Sequence, residues 1–245
     1  MHLQAIIGAC IIGLCTITIR TEIRTSDAGL PPADAWSRAA ALAEEHRSLW
    51  QPVFLSLDVD PQLCEAVIFP ELMRYSTLQN GLETTAMYAL YVEGGTARCN
   101  LSIGLFQMKP SFAEAVEKAW MQHPLRHHYA LYFDLRNTKE VRRQRIKRLS
   151  DNQWQCVYLS IFVHLIQTRE QVLNEVTTEE LVALLATAYN VRFNAPTTEL
   201  RNLQKRPLFH LDMLPSKKTV YYSYAHLAQH RYIELQQQSE SSYKR

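Results

Sequence analysis

The chain has 245 residues, 47% of them hydrophobic, which is long enough for one large or two small domains and too apolar for a disordered protein. A formal net charge of +2 and an isoelectric point near 8.2 are too mild for a nucleic-acid binder, though compatible with an acidic polymer as partner. Only 7 glycines, set against abundant Leu, Ala, Glu, Gln and Arg, predict an all-α, mainly helical fold.

Residues 3–19 are apolar apart from Gln4 and a few threonines, and Arg20 and Arg24 follow. That length suits a signal sequence or a short membrane anchor, so residues 1–24 are expected to be a leader. Ile7-Gly8-Ala9-Cys10 resembles a lipoprotein cleavage box but lies very early and lacks a charged lead, so lipidation is not expected. Beyond the leader stand Cys64, Cys99 and Cys156, without CxxC or Cys/His spacing, which predicts free buried thiols.

Residues 25–35 read as a linker because Gly, Pro, Ser and Asp cluster there without apolar period. Residues 36–236 are expected to form the helical domain, opening with a short helix from Trp36 to Glu45. Asp60-Pro61 is a helix start, an oxygen-bearing cap before a proline at the first helical position. Pro70 predicts a break, with Glu71 opening a new turn through Tyr75. A short helix follows from Leu82 to Tyr91, ended by Gly94-Gly95, and then a loop from Thr96 to Lys109.

Ser111 and Glu114 have the spacing of a capping box for a helix reaching about Trp120. The basic run Arg136 to Arg148 reads as a helix with Val141, Ile146 and Leu149 buried and a solvated basic face. Asp151 caps a long, buried helix through Thr168, in which His164 is expected to be a hydrogen-bonded core residue. Thr177 and Glu180 form a capping box for a helix ending at Tyr189-Asn190. His127-His128 and His226/His230 are paired without a matching carboxylate cluster, so no metal site is expected. Residues 237–245 are expected to be a frayed polar tail.

Three pieces can carry chemistry. Glu71 sits among Phe69, Pro70, Leu72 and Met73, and an apolar setting disfavours the charged carboxylate and prepares it for general acid work, as glycoside cleavage requires. The stretch Ser102 to Ser111 (SIGLFQMKPS) reads as a cleft wall. Gly104 permits close approach of backbone or ligand, and the Gln107 amide can both donate to and accept from hydroxyls. Phe106, Met108 and Phe112 are expected to point mostly inward. Tyr189 offers a phenol and Asn190 an amide that could meet an acetamido group or close its helix.

The ordered set PELMRYS, SIGLFQMKPS and LLATAYN resembles the lysozyme-like domain of bacterial lytic transglycosylases, over roughly residues 60–230. The resemblance implies a lysozyme-like domain, with Glu71 as the catalytic acid and then base, and Ser102, Gly104, Gln107, Tyr189 and Asn190 holding the glycan. Tyr221-Tyr222 are the weak match to the family's late tyrosine. The implied substrate is peptidoglycan, cut at its N-acetylmuramic acid to N-acetylglucosamine β-1,4 bond without metal or cofactor. It also implies an exported protein, periplasmic or membrane-anchored, with peptidoglycan strands rather than nucleic acid as partner. Glu93, 11 residues before Gly104, is a rival acid. Leu72 stands where the family has serine and Val191 where glycine is common, so a catalytically weak peptidoglycan-binding protein on the same fold is the alternative. Hydrolysis in the manner of a lysozyme is a third reading.

Overall fold

The computed structural model describes residues 24–25, 29–77, 84–169, 176–212 and 215–243. The expected leader lies outside them apart from Arg24, and among the described residues no helix is long and apolar enough to cross a membrane. The described chain is mainly helical, as its composition requires. Ten helices run in order: α1 (Ala33–Ser56), α2 (Pro61–Thr77), α3 (Thr84–Gly94), α4 (Pro110–Trp120), α5 (Leu125–His128), α6 (Lys139–Leu149), α7 (Asn152–Arg169), α8 (Thr178–Asn190), α9 (Thr197–Leu203) and α10 (Tyr224–Tyr243). The extended structure is small, a parallel pairing of β1 (Arg24–Thr25) with β2 (Val220–Tyr221).

Helix α2 is packed between α1, α8 and α10, while α7 is covered by α1, α4 and α6. Both are therefore buried on several sides, and the segment from Leu63 to Met73 is buried at every position. That burial explains the first correction. Helix α2 runs unbroken through Pro70. An interior proline costs roughly 3 kcal/mol through its missing donor and ring clash, and Ile68, Phe69, Leu72 and Met73, all fully buried around it, outweigh that.

Helix α1 is also longer than expected, 24 residues rather than a short piece ending at Glu45. Ala35, Ala39, Ala43, Trp50 and Phe54 continue one buried face along it, so packing carries the helix past Glu45. The described part of the expected linker is not free chain either. Thr25 is paired in the sheet, Pro31 is buried, Leu30 packs on the core, and α1 has begun by Ala33. At the other end, the expected polar tail continues α10 as far as Tyr243, with Gln236 Nε2 donating to Gln62 Oε1 at 2.6 Å and Gln62 Nε2 to Ser239 Oγ at 2.6 Å.

Where local chemistry dominates, the helix ends match expectation. Thr177 and Glu180 make the reciprocal capping box of α8, and Asp151 Oδ1 accepts from the Trp154 amide at the start of α7. Ser111 and Glu114 do not form one: Lys109 is the N-cap of α4 with Pro110 after it, the Ser111 amide donates to Asn100 Oδ1, and Glu114 accepts from Tyr91. His164, half-buried, bonds the Leu57 carbonyl oxygen at 2.7 Å, and Cys64, Cys99 and Cys156 are free and buried.

The basic run is only partly a solvated face. Arg142 and Arg145 of α6 are buried, Arg142 donating to the Val92 carbonyl at 2.8 Å and Arg145 forming a forked pair with the fully buried Glu117 at 2.6 and 2.9 Å. Glu117 also accepts from Arg148 and Tyr158, so its carboxylate is fully engaged and ties α4, α6 and α7 together.

Candidate active site

Glu71 lies on α2, only 5% exposed, on the wall of a cleft of about 560 Å³. Gln107, Lys109, Tyr189, Asn190 and Arg192 line the same cleft. Segments far apart in sequence thus meet around one acid, and Ser102 joins them at the lining. Burial pushes the Glu71 carboxyl up from 4.5 to about 7, against the opposing pull of Arg74 and Lys109. A carboxylic acid tuned there holds its proton near neutrality and can give it up.

Arg74, one helical turn on, donates from Nη1 to Glu71 Oε2 at 3.1 Å. Its own position is fixed from the far end of the chain. Nε and Nη2 donate to the His210 carbonyl at 3.2 and 3.1 Å, and the guanidinium lies 4.3 Å from the centroid of the Phe209 ring. Phe209 in turn exchanges backbone bonds with Tyr222. The sequence contained a signal for Arg74, which is its i,i+3 relation to a suspected acid; none pointed to His210.

Gly104 is placed differently from its expectation. It is not among the residues lining the cleft, and its left-handed φ of +69° lets the loop wrap the buried side chain of Gln155. A Cβ at that position would fall 1.6 Å from Gln155 Nε2, so no other residue fits without rearrangement. Gln155, which the sequence reading passed over, is fully buried on α7; it accepts from the Phe106 amide at 2.9 Å and donates to the Ile103 and Leu149 carbonyls. It is the internal brace of the cleft wall.

Gln107 follows in the same turn with φ of 51°, a conformation few residues other than glycine adopt, and its Nε2 donates to the Gly104 carbonyl at 2.8 Å. Ile103 and Met108 close the turn through paired backbone bonds. Strain of this kind persists where surroundings enforce it, often at functional positions. Phe106 is buried on the inner side of the wall, whereas Met108, buried, and Phe112, half-buried, reach the lining of the cleft.

Tyr189 spends its hydroxyl proton on the Phe106 carbonyl at 2.6 Å, which locks α8 onto the wall and leaves the phenol oxygen to accept. Burial and the nearby Glu71 both raise its pKa. Asn190 closes α8 and lines the cleft. A residue that the sequence reading missed lies behind the group without lining the cleft: Tyr224, first residue of α10, is 3% exposed, and among the described residues its hydroxyl has no hydrogen-bond partner. Burial first, then Glu71 and Tyr189, push its pKa up. The neighbouring Tyr221 and Tyr222 do not line the cleft.

Glu93 lies away from this cleft. It is exposed at the end of α3, paired with Lys139 at 2.6 Å, and that ammonium holds its carboxyl below the usual value. Among the described residues no three His, Cys, Asp or Glu side chains gather as a ligand set. No protein-family model, curated protein or solved structure matches this chain.

Proposed function

We propose that the protein is a lytic transglycosylase-like enzyme with a lysozyme-like domain, exported to cut peptidoglycan at the β-1,4 bond between N-acetylmuramic acid and N-acetylglucosamine. The observation that carries this reading is a single buried glutamate, Glu71, with its carboxyl pushed up to about 7 and facing the same cleft as Gln107, Tyr189 and Asn190. Burial and the ordered motifs support it together.

In this reading protonated Glu71 gives its proton to the bridging oxygen as the bond from that oxygen to the muramoyl C1 breaks. The resulting carboxylate, stabilised by Arg74, then takes the proton of the muramoyl 6-hydroxyl, whose oxygen closes onto C1. One glutamate therefore serves twice, the proton balance closes, and the product carries a 1,6-anhydro end. No second carboxylate is needed, in contrast to paired-acid glycosidases. Gln107 and Asn190 would orient the sugars, and proximity of the internal hydroxyl would supply much of the acceleration.

Mass spectrometry of purified peptidoglycan after incubation with wild type and Glu71→Gln tests this. Anhydro products from wild type alone are expected; their absence, or undiminished release by the variant, refutes it. Reducing ends instead of anhydro ends would assign hydrolysis. A second reading, binding with weak or no turnover, is favoured by Leu72, which is fully buried and offers Glu71 no hydroxyl. Retained pull-down on peptidoglycan without product release would establish it.

A further inference from the structure

Three cations line the cleft beside Glu71, and two of them have carboxylate partners. Arg74 is paired with Glu71 at 3.1 Å and Arg192 with Glu199 at 2.9 Å. Lys109 has none among the described residues. Its side chain is exposed, yet its backbone is held firmly: the carbonyl accepts from the Phe112 and Ala113 amides at 3.0 and 3.1 Å, Pro110 follows it, and Met108 before it is bridged to Ile103. An exposed ammonium thus projects from a fixed base, close enough to Glu71 to act on its charge.

Two acids line the cleft as well: Glu71, paired with Arg74, and Asp212, whose Oδ2 accepts from the Thr219 hydroxyl, and neither forms an ion pair with Lys109. An overall charge of only +2 means that this concentration of cations is local rather than a reflection of a basic protein.

We infer that Lys109 is a specificity-determining residue that reads a carboxylate carried by the glycan, so that the preferred substrate is an anionic rather than a neutral sugar chain. This rests on the glycan-cleaving reading of the same cleft. The carboxylate has two possible sources with the same chemistry, the lactyl group on the sugar ring and the acidic residues of an attached peptide.

The test measures binding rather than turnover, in the Glu71→Gln background, with fluorescently labelled soluble peptidoglycan oligosaccharides. Three forms are compared: with peptides, with peptides removed so that the lactyl carboxylate is free, and with all carboxyls amidated. Lys109→Gln should weaken binding of a carboxylated form about two- to fivefold, the range of a solvent-exposed ion pair, and leave the amidated form unchanged. The carboxylated form that responds identifies the source. Lys118→Gln removes the same charge from an exposed position of α4 outside the cleft lining and should change nothing. Equal binding of carboxylated and amidated forms, equal weakening of all three by Lys109→Gln, or no binding at all overturns the inference. Carboxylate-sensitive binding with no anhydro product from wild type would refute cleavage and leave the role of Lys109 standing.

Discussion

Replacing Glu71 by glutamine should abolish cleavage and at the same time stabilise the protein at alkaline pH. The native carboxyl is pushed up to about 7 from 4.5, chiefly by burial. Between those two values the folded chain keeps a proton that the unfolded chain has released, so stability falls as pH rises through this window and levels off above it. A difference of about 2.5 units at 1.36 kcal/mol per unit gives roughly 3 kcal/mol lost between pH 4.5 and 8. Glutamine has nothing to ionise, and Arg74 keeps its two bonds to the His210 carbonyl in the variant. Urea denaturation of both proteins at intervals from pH 5 to 8 should therefore give a declining curve for wild type and a flatter one for the variant, which becomes the more stable of the two near pH 8. Parallel curves, or a variant that is less stable at pH 8, would refute the claim that Glu71 is buried at a cost. Wild-type activity should decline above about pH 7 as the acid ionises.

Three further outcomes follow from the geometry. Tyr224→Phe removes a buried hydroxyl that bonds nothing among the described residues, so thermal stability should hold or rise; a clear loss of stability would show that the hydroxyl has a structural partner. Gln155→Ala deprives the Phe106 amide and the Ile103 and Leu149 carbonyls of their partner and should cost about 2–4 kcal/mol in denaturant unfolding, with weaker glycan binding because Gln107 stands on the same turn. Glu93→Gln breaks only an exposed pair with Lys139 and should leave the rate of anhydro-product release unchanged, whereas a large loss would return the acid's role to Glu93.

What could be read from the sequence was whatever depends on near neighbours. The capping box of Thr177 and Glu180, the start of α2 at Pro61 and the apolar setting of Glu71 are local patterns, and the structure reproduces each. Pro70, Ser111 and the polar end of α10 misled for a common reason. At each, a local preference is overridden by a distant partner: the packing around α2, the Asn100 side chain, and Gln62. Gly104 was noticed for its freedom of backbone, but the need for that freedom comes from Gln155, 51 residues later. Tyr224 carried no sequence signal because its meaning depends on where α10 docks.

The bonds that hold Arg74 have a bearing on how the protein comes into being. Its guanidinium rests on His210 and Phe209, and Phe209 is itself held by Tyr222, just ahead of Tyr224. During synthesis from the amino end, Glu71 emerges long before any of these residues exist. The nascent chain therefore has the acid before Arg74 has its seat, and an incomplete polypeptide ending before residue 209 also lacks α10, which packs on α2 and helps to bury it. Any acid chemistry at Glu71 would then wait for about the last seventh of the chain.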